Sequence, residues 1–379
     1  MKRILLFAIL ICLAGYVCAQ TGIVLQGTVK DGNGKPLPFA SVFLNQTTMG
    51  ARSDESGGYV IRNIPPGWYE VIVSYLGYES QVHPVQLEEG QTLQFVLKEK
   101  PGMLKEQVVR PDKDREFYLA MFKKIFIGEG AFAKECKLMN PDIVEFEPDI
   151  AREILRAKAG DFLEIRNEAL GYNIRFLLQH FEYNPRSGYS MYYGNPLFLP
   201  MQPRNKVQRK RWEQNRRDAY RGSSLQFFRS LIAGTQREDG YTMRRLKRVQ
   251  KDKGVVIDAP PDSVMQIIKS PMFSRNVSFL SRQEWPADSV LHKRADGYVL
   301  RFPDLLYVVY SKEKEEQLYI QKYLRSNERA GPQTSIMRLL EPEVRVDRNG
   351  NLEAPMNVIF ENYWGWEKLA VMLPLDYRL

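Results

Sequence analysis

Few residue types do chemistry, and this chain holds few of the most useful ones. There are three histidines in 379 residues: His83, His180 and His292. A hydrolytic zinc needs three protein ligands and an open fourth position. Its usual short pair is a His with a Glu three residues on. Here those places hold Gln86, Tyr183 and Ala295, so no zinc-hydrolase ligand set is read. His83 alternates with Glu79 and Gln81 and is expected to face solvent. His180 sits in a strand-like run and is expected to be half-buried. No G-x-S-x-G elbow, P-loop or G-x-G-x-x-G occurs. Gly222-Ser223-Ser224 opens a helix, and a serine cap is the plainer reading than an anion site there. Asp347-Arg348-Asn349-Gly350-Asn351 begins like a calcium loop. It then puts Leu352 at the glycine place and Val358 at the bidentate glutamate place, so it reads as a hairpin turn. Paired carboxylates from distant sequence leave no spacing signal, and glycoside hydrolysis stays open. No catalytic residue, metal ligand or cofactor is assigned.

Residues 204–221 stand out by charge. Arg204, Lys206, Arg209, Lys210, Arg211, Arg216, Arg217 and Arg221 face only Glu213 and Asp218, with Trp212 and Tyr220 among them. Guanidinium groups grip phosphate or carboxylate bidentately, and aromatic faces stack on sugars or cations. The candidate anion- or glycan-binding patch is therefore Arg209, Lys210, Arg211, Trp212, Arg216, Arg217 and Tyr220. A second, structural reading is favoured over it. Trp212 and Tyr220 are eight residues apart, roughly on one helix face, and can dock on a core while the charges are merely solvated. Tyr363-Trp364-Gly365-Trp366 poses the same choice between a sugar platform and core packing.

The chain opens with Lys2-Arg3, an apolar run from Ile4 to Leu13, and Val17-Cys18-Ala19. This order is that of a secretory signal peptide, residues 1–19, cleaved after Ala19. The apolar run is shorter than the ~20 residues of a spanning helix, so no transmembrane helix is expected after cleavage. Cys12 and Cys18 leave with the leader, and Cys136 remains without a disulfide partner. Loss of Lys2 and Arg3 takes the formal charge from +9 to about +7. That balance favours an envelope protein or an anionic polysaccharide or lipid surface as partner. Export argues against nucleic acid.

Elements must position these residues, and residues 22–99 are the clearest. Ile23, Leu25, Gly27 and Val29 alternate to one face, as do Ala40, Val42 and Leu44, then Tyr59 and Ile61, then Tyr69, Val71, Val73 and Tyr75. Tyr78 and Val82, then Leu93, Phe95 and Leu97, close the set. Asp31-Gly32-Asn33-Gly34, Ser53 to Gly58 and Pro65-Pro66-Gly67 supply turns. Short strands at close turns indicate a sandwich or barrel. The residues Gly27-Thr28-Val29-Lys30-Asp31, Pro36 to Val42, Ser53-Asp54 with Gly57-Gly58-Tyr59, Ile64 to Gly67 and Ser74 to Tyr78 resemble the carboxypeptidase regulatory-like domain. The resemblance implies a transthyretin-like β-sandwich over residues 20–99. It also implies a non-catalytic module of a kind found in Gram-negative surface proteins.

A charged linker, 100–111, leads to an α+β domain over 112–379. A helix from 112 to 127 should bury Phe117, Met121 and Ile125, widened by Tyr118, Phe122 and Phe126. Strands are expected at 143–146, 162–166, 172–183 and 189–193, a helix at 205–233, and strands near 241–249, 277–282, 298–302, 305–311, 335–347 and 352–360. A short helical turn follows around Trp366 to Met372. Helices interrupt too often for a membrane barrel. The fold class is mainly β with α+β. The functional reading is an exported, non-catalytic envelope binding or scaffolding protein, in the periplasm or at the outer membrane or cell surface. Two alternatives stand beside it: a hydrolase of envelope or external polymer using second-domain acids, and an accessory of a TonB-dependent uptake receptor.

Overall fold

Alternating strands and glycine turns build the N-terminal part as expected. The computed structural model describes residues 22–100, 114–250, 263–266, 276–295, 297–323 and 329–379. The expected signal peptide and all but the first residue of the expected linker lie outside the described residues. The chain divides into two compact units, one of residues up to 42 and 51–99, the other of residues 43–50 and 100–379.

The small unit is built on two sheets. Strands β1 (Ile23–Asp31), β4 (Gly58–Ile64) and β7 (Gln91–Leu97) form the first, in the order β4-β1-β7. Strands β2 (Ser41–Leu44), β3 (Gly50–Arg52), β5 (Gly67–Ser74) and β6 (Gln81–Leu87) form the second, in the order β3-β2-β5-β6. Leu25, Val29, Val42, Ile61, Val71, Val73, Phe95 and Leu97 are all buried. Gly27 is required where it stands, because a Cβ there would lie 1.6 Å from the Leu93 carbonyl oxygen of parallel-paired β7. One expectation fails. Val82 is 47% exposed, while Val85 and Leu87 are buried. The inward phase of β6 is one residue off the reading, and period-two geometry sends Val82 to the other face.

In the large unit, helix α1 (Arg115–Phe126) packs on a sheet of β8 (Cys136–Leu138), β9 (Val144–Asp149), β10 (Ile154–Ala159), β11 (Leu163–Asn167), β12 (Tyr172–Asn184) and β13 (Tyr189–Pro200). The buried residues of α1 are Phe122 and Phe126, with Phe117 61% exposed. The apolar stripe is thus centred one position later than expected. Phe122 lies 4.7 Å from the Phe181 ring, and Phe126 lies 4.9 Å from Phe176.

The expected helix at 205–233 is two helices, α2 (Lys206–Tyr220) and α3 (Ser224–Ala233). Gly222, at φ +75°, breaks them. Its N–H is taken by Gln226 Oε1 at 2.8 Å and its carbonyl by the Trp364 indole N–H at 2.7 Å. Ser223 is the cap of α3, its hydroxyl accepting from the Gln226 N–H.

A second sheet of the large unit runs β15 (Ser263–Gln266), β16 (Asn276–Glu284), β14 (Tyr241–Gln250), β19 (Leu305–Lys314), β20 (Pro332–Leu339), β22 (Val358–Asn362). A third has β17 (Leu291–Arg294), β18 (Gly297–Leu300) and β21 (Val344–Val346). The single strand expected at 335–347 is β20 and β21, in different sheets. Pro342 lies between them and cannot continue a ladder. The run expected at 352–360 starts only at Val358, after a 3-10 turn opened by Pro355. A bidentate pair between Arg248 on β14 and Glu361 on β22, at 3.0 and 2.7 Å, is nearly sealed from water. Among the described residues no helix is long and apolar enough to cross a membrane.

Candidate functional site

Helix α2 begins at Asn205, whose side chain accepts from the Gln208 N–H at 2.9 Å. The Gln208 side chain in turn accepts from the Arg204 N–H. These two bonds satisfy donors that a helix start leaves open. Below the helix lies the Glu168–Gly171 turn between β11 and β12, whose Gly171 carbonyl also accepts from the Met201 N–H at 3.0 Å. Side chains of α2 claim all four. The Trp212 indole N–H donates to Glu168 O at 2.7 Å, and the Asn215 amide to Ala169 O at 2.7 Å. Arg216 donates to Leu170 O at 2.7 Å and Gly171 O at 3.2 Å. Its guanidinium also lies 4.2 Å from the Tyr172 ring centre. Gly171, at φ +72°, is held close, since a Cβ there would be 2.3 Å from Trp212.

This geometry separates the seven candidate residues. Trp212 is 3% and Tyr220 8% exposed. Tyr220 packs 5.7 Å from the Tyr377 ring. With Arg216 they form the docked face, so no aromatic platform points outward. Arg211 forms an ion pair with Glu135, and Arg217 donates to Gln214 Oε1 at 3.0 Å. Arg209 and Lys210 are exposed, and no ion pair holds either among the described residues. The outward face is cationic and aliphatic, without rings. The Tyr363 to Trp366 run is core: Tyr363, Trp364 and Trp366 are all buried.

A second cluster comes from places that no spacing rule connects. Glu313 lies in β19, one residue before its end at Lys314, Glu316 precedes helix α4 (Gln317–Tyr323), and Glu367 follows helix α5 (Tyr363–Trp366). Glu316 Oε2 accepts from the Ala131 N–H at 3.1 Å. Enclosure pushes the Glu367 carboxyl up to about 8, and the charges of Glu316 and Glu313 add to the rise. Glu313 and Glu316 are themselves raised, chiefly by burial. Next to Glu367, enclosure drives the Lys368 ammonium down to about 8, with Lys322 adding to the fall. A shallow depression of about 460 Å³ lies at the end of α1, lined by Lys123, Lys124, Glu129, Lys137 and Cys136 among others. Burial lifts the Cys136 thiol to about 12, which keeps it protonated and unreactive. His180 is half-buried, its ring 5.8 Å from Tyr193, and His83 is exposed. Among the described residues no group of three His, Cys, Asp or Glu is placed to hold a metal.

The sequence matches the family model of the CarboxypepD_reg-like domain over residues 25–109. The small unit is a CarboxypepD_reg-like domain. No curated protein matches the chain. Among solved structures, a type II cohesin–X-dockerin complex from Acetivibrio cellulolyticus matches at 18% identity, covering 20% of this chain and 57% of that one, with a TM-score of 0.19. The 3-chlorocatechol 1,2-dioxygenase of Rhodococcus opacus matches at 15% identity over 22% of this chain and 62% of that one, TM-score 0.19. A DUF3823 family protein from Bacteroides ovatus matches at 8% identity over 48% of this chain and 82% of that one, TM-score 0.18. The chain thus spans less than two thirds of the first two structures' own length.

Proposed function

We propose that this protein is an exported, non-catalytic binding or scaffolding protein of the cell envelope, which pairs a CarboxypepD_reg-like domain with a larger α+β unit. One observation carries the binding role. The inward face of α2 is consumed by the fold, while Arg204, Lys206, Arg209 and Lys210 stand exposed with no ion pair among the described residues. Nothing in the fold requires those four charges. Exposed like charges repel one another and add little stability, so a use outside the molecule accounts for them. An anionic envelope component is the partner that complements them.

The test is fractionation of cells producing the full chain, with mass measurement of the N-terminus. The expected result is protein in the envelope fraction beginning at Gln20. Intact Met1 and recovery from the cytosol would contradict the reading.

One observation favours a second reading, a hydrolase of envelope polymer. Glu313, Glu316 and Glu367 influence one another, and a carboxyl held protonated near neutral pH is what a general acid requires. A hydrolase reading requires that Glu367→Gln abolish release of products from a glycan or peptide polymer. Absence of any release by the wild-type protein would remove it.

A further inference from the structure

We infer that the outward face of α2 binds the acidic chain of an anionic polysaccharide, lying along the helix axis and held by charge alone; this rests on the envelope-binding reading above. Three features of the face lead there.

The first is its shape. Lys206, Lys210, Glu213 and Arg217 recur at i, i+4, i+7 and i+11, which places them down one stripe. Arg209 flanks the stripe, and Arg204 stands exposed just before the Asn205 cap. At 1.5 Å per residue, Lys206 to Arg217 spans about 16 Å. Glu213 is the only carboxylate on the stripe itself. A row of cations of this length matches a linear array of carboxylates or sulfates better than it matches one compact anion.

The second is what the face lacks. A helix that lies in a bilayer surface inserts a broad apolar face bearing Trp, Phe or Leu. Here Trp212 and Tyr220 are sealed against the β11–β12 turn and Tyr377, and Val207 is the large apolar residue of α2 left exposed, at 78%. The helix has nothing to insert, so a lipid surface is the poorer fit.

The third follows from the same burial. With no outward ring, the site cannot stack on sugar faces as glycan sites with aromatic platforms do. It reads charge rather than sugar identity. Binding should therefore be sensitive to salt and tolerant of the polymer backbone, because exposed charges are screened within about 10 Å at 0.1 M salt.

The experiment measures binding of the purified full chain to dextran sulfate, polygalacturonate and neutral dextran, and to vesicles of phosphatidylglycerol with phosphatidylcholine. Binding to both acidic polymers and not to neutral dextran is expected, weakened by added salt. The variant K206E/R209E/K210E should weaken it about tenfold or more, since like-charge contacts replace attractive ones. K206Q/R209Q/K210Q should fall between, and it keeps the test usable if the reversed variant folds poorly. An equal reversal in the small unit, K35E/R62E/K98E, should leave binding intact. Binding to vesicles but not to polymer, binding to neither, or equal loss in the small-unit control would each overturn the inference. A cytosolic location would refute the envelope reading without touching these binding results, so the two failures are distinguishable.

Discussion

Arg216 and Arg209 sit two turns apart on one helix, yet they do different work. Arg216 gives its donors to the carbonyls of Leu170 and Gly171 and stacks on Tyr172. Arg209 gives its charge to solvent. Seven residues apart, the two share a helix face; the difference is that Arg216 reaches the carbonyls of the β11–β12 turn while Arg209 is exposed, and two expectations belong at this scale. Trp212→Phe removes an indole N–H that satisfies Glu168 O, and should cost about 1–3 kcal/mol in thermal or denaturant unfolding. Because the ring has no outward face, affinity for acidic polymer should be unchanged. Glu367 supplies the second. Its carboxyl holds its proton to about 8 when folded and releases it near its ordinary 4.5 when unfolded. The folded state therefore binds more protons between those values, and stability falls as pH rises across that window. Glu367→Gln should flatten that fall, so the variant gains melting temperature over wild type at pH 8 and little at pH 4. Lys368 acts in the opposite sense and in a separate window. Its folded value of about 8 lies below the ordinary 10.5, so stability should rise with pH between them.

At the scale of elements, two junctions decide how α2 and the central sheet are held. Gly171 combines a positive φ with a Trp212 ring 2.3 Å from any Cβ. Gly171→Ala adds strain and a clash together, and should lower the melting temperature by more than Trp212→Phe does. The Arg248–Glu361 pair ties β14 to β22 across intervening β19 and β20. Glu361→Ala leaves a buried guanidinium without its carboxylate and should cost about 3–5 kcal/mol, read from denaturant midpoints. Replacing both partners by apolar residues of similar volume should cost far less. The same junctions show where reading the chain alone falls short. The expected strands at 172–183 and 189–193 form the β12–β13 hairpin, because local bonds close its turn, the Gly188 N–H donating to the Asn184 carbonyl at 2.9 Å. Gly222 split a helix that looked continuous, because Trp364, 142 residues away, takes its carbonyl. Pro342 and Pro355 are local breakers: β20 ends before Pro342, and β22 starts only after the turn that Pro355 opens.

For the molecule as a whole, legibility followed the range of the interactions. The CarboxypepD_reg-like domain was readable from period-two strands and glycine turns, which are local signals, although β1 pairs with β4 and β7 far along the chain. The mainly β, α+β class of the whole chain was equally plain. The larger unit orders its strands across sheets that join distant segments, and only its elements were visible, not their arrangement. The basic helix was found by composition, but which of its residues face outward depended on the β11–β12 turn beneath it. Glu313, Glu316 and Glu367 come from a strand and two helix flanks far apart in the chain and left no signal in spacing. The central claim is that this is an envelope-binding protein whose outward α2 charges make the contact. Co-sedimentation of the purified protein with isolated cell-envelope material tests it most directly, with wild type and K206E/R209E/K210E side by side at low and physiological salt. The account predicts that wild type sediments with the envelope and the variant stays in solution, at equal melting temperatures. Equal sedimentation of the two, or none by either, would contradict it.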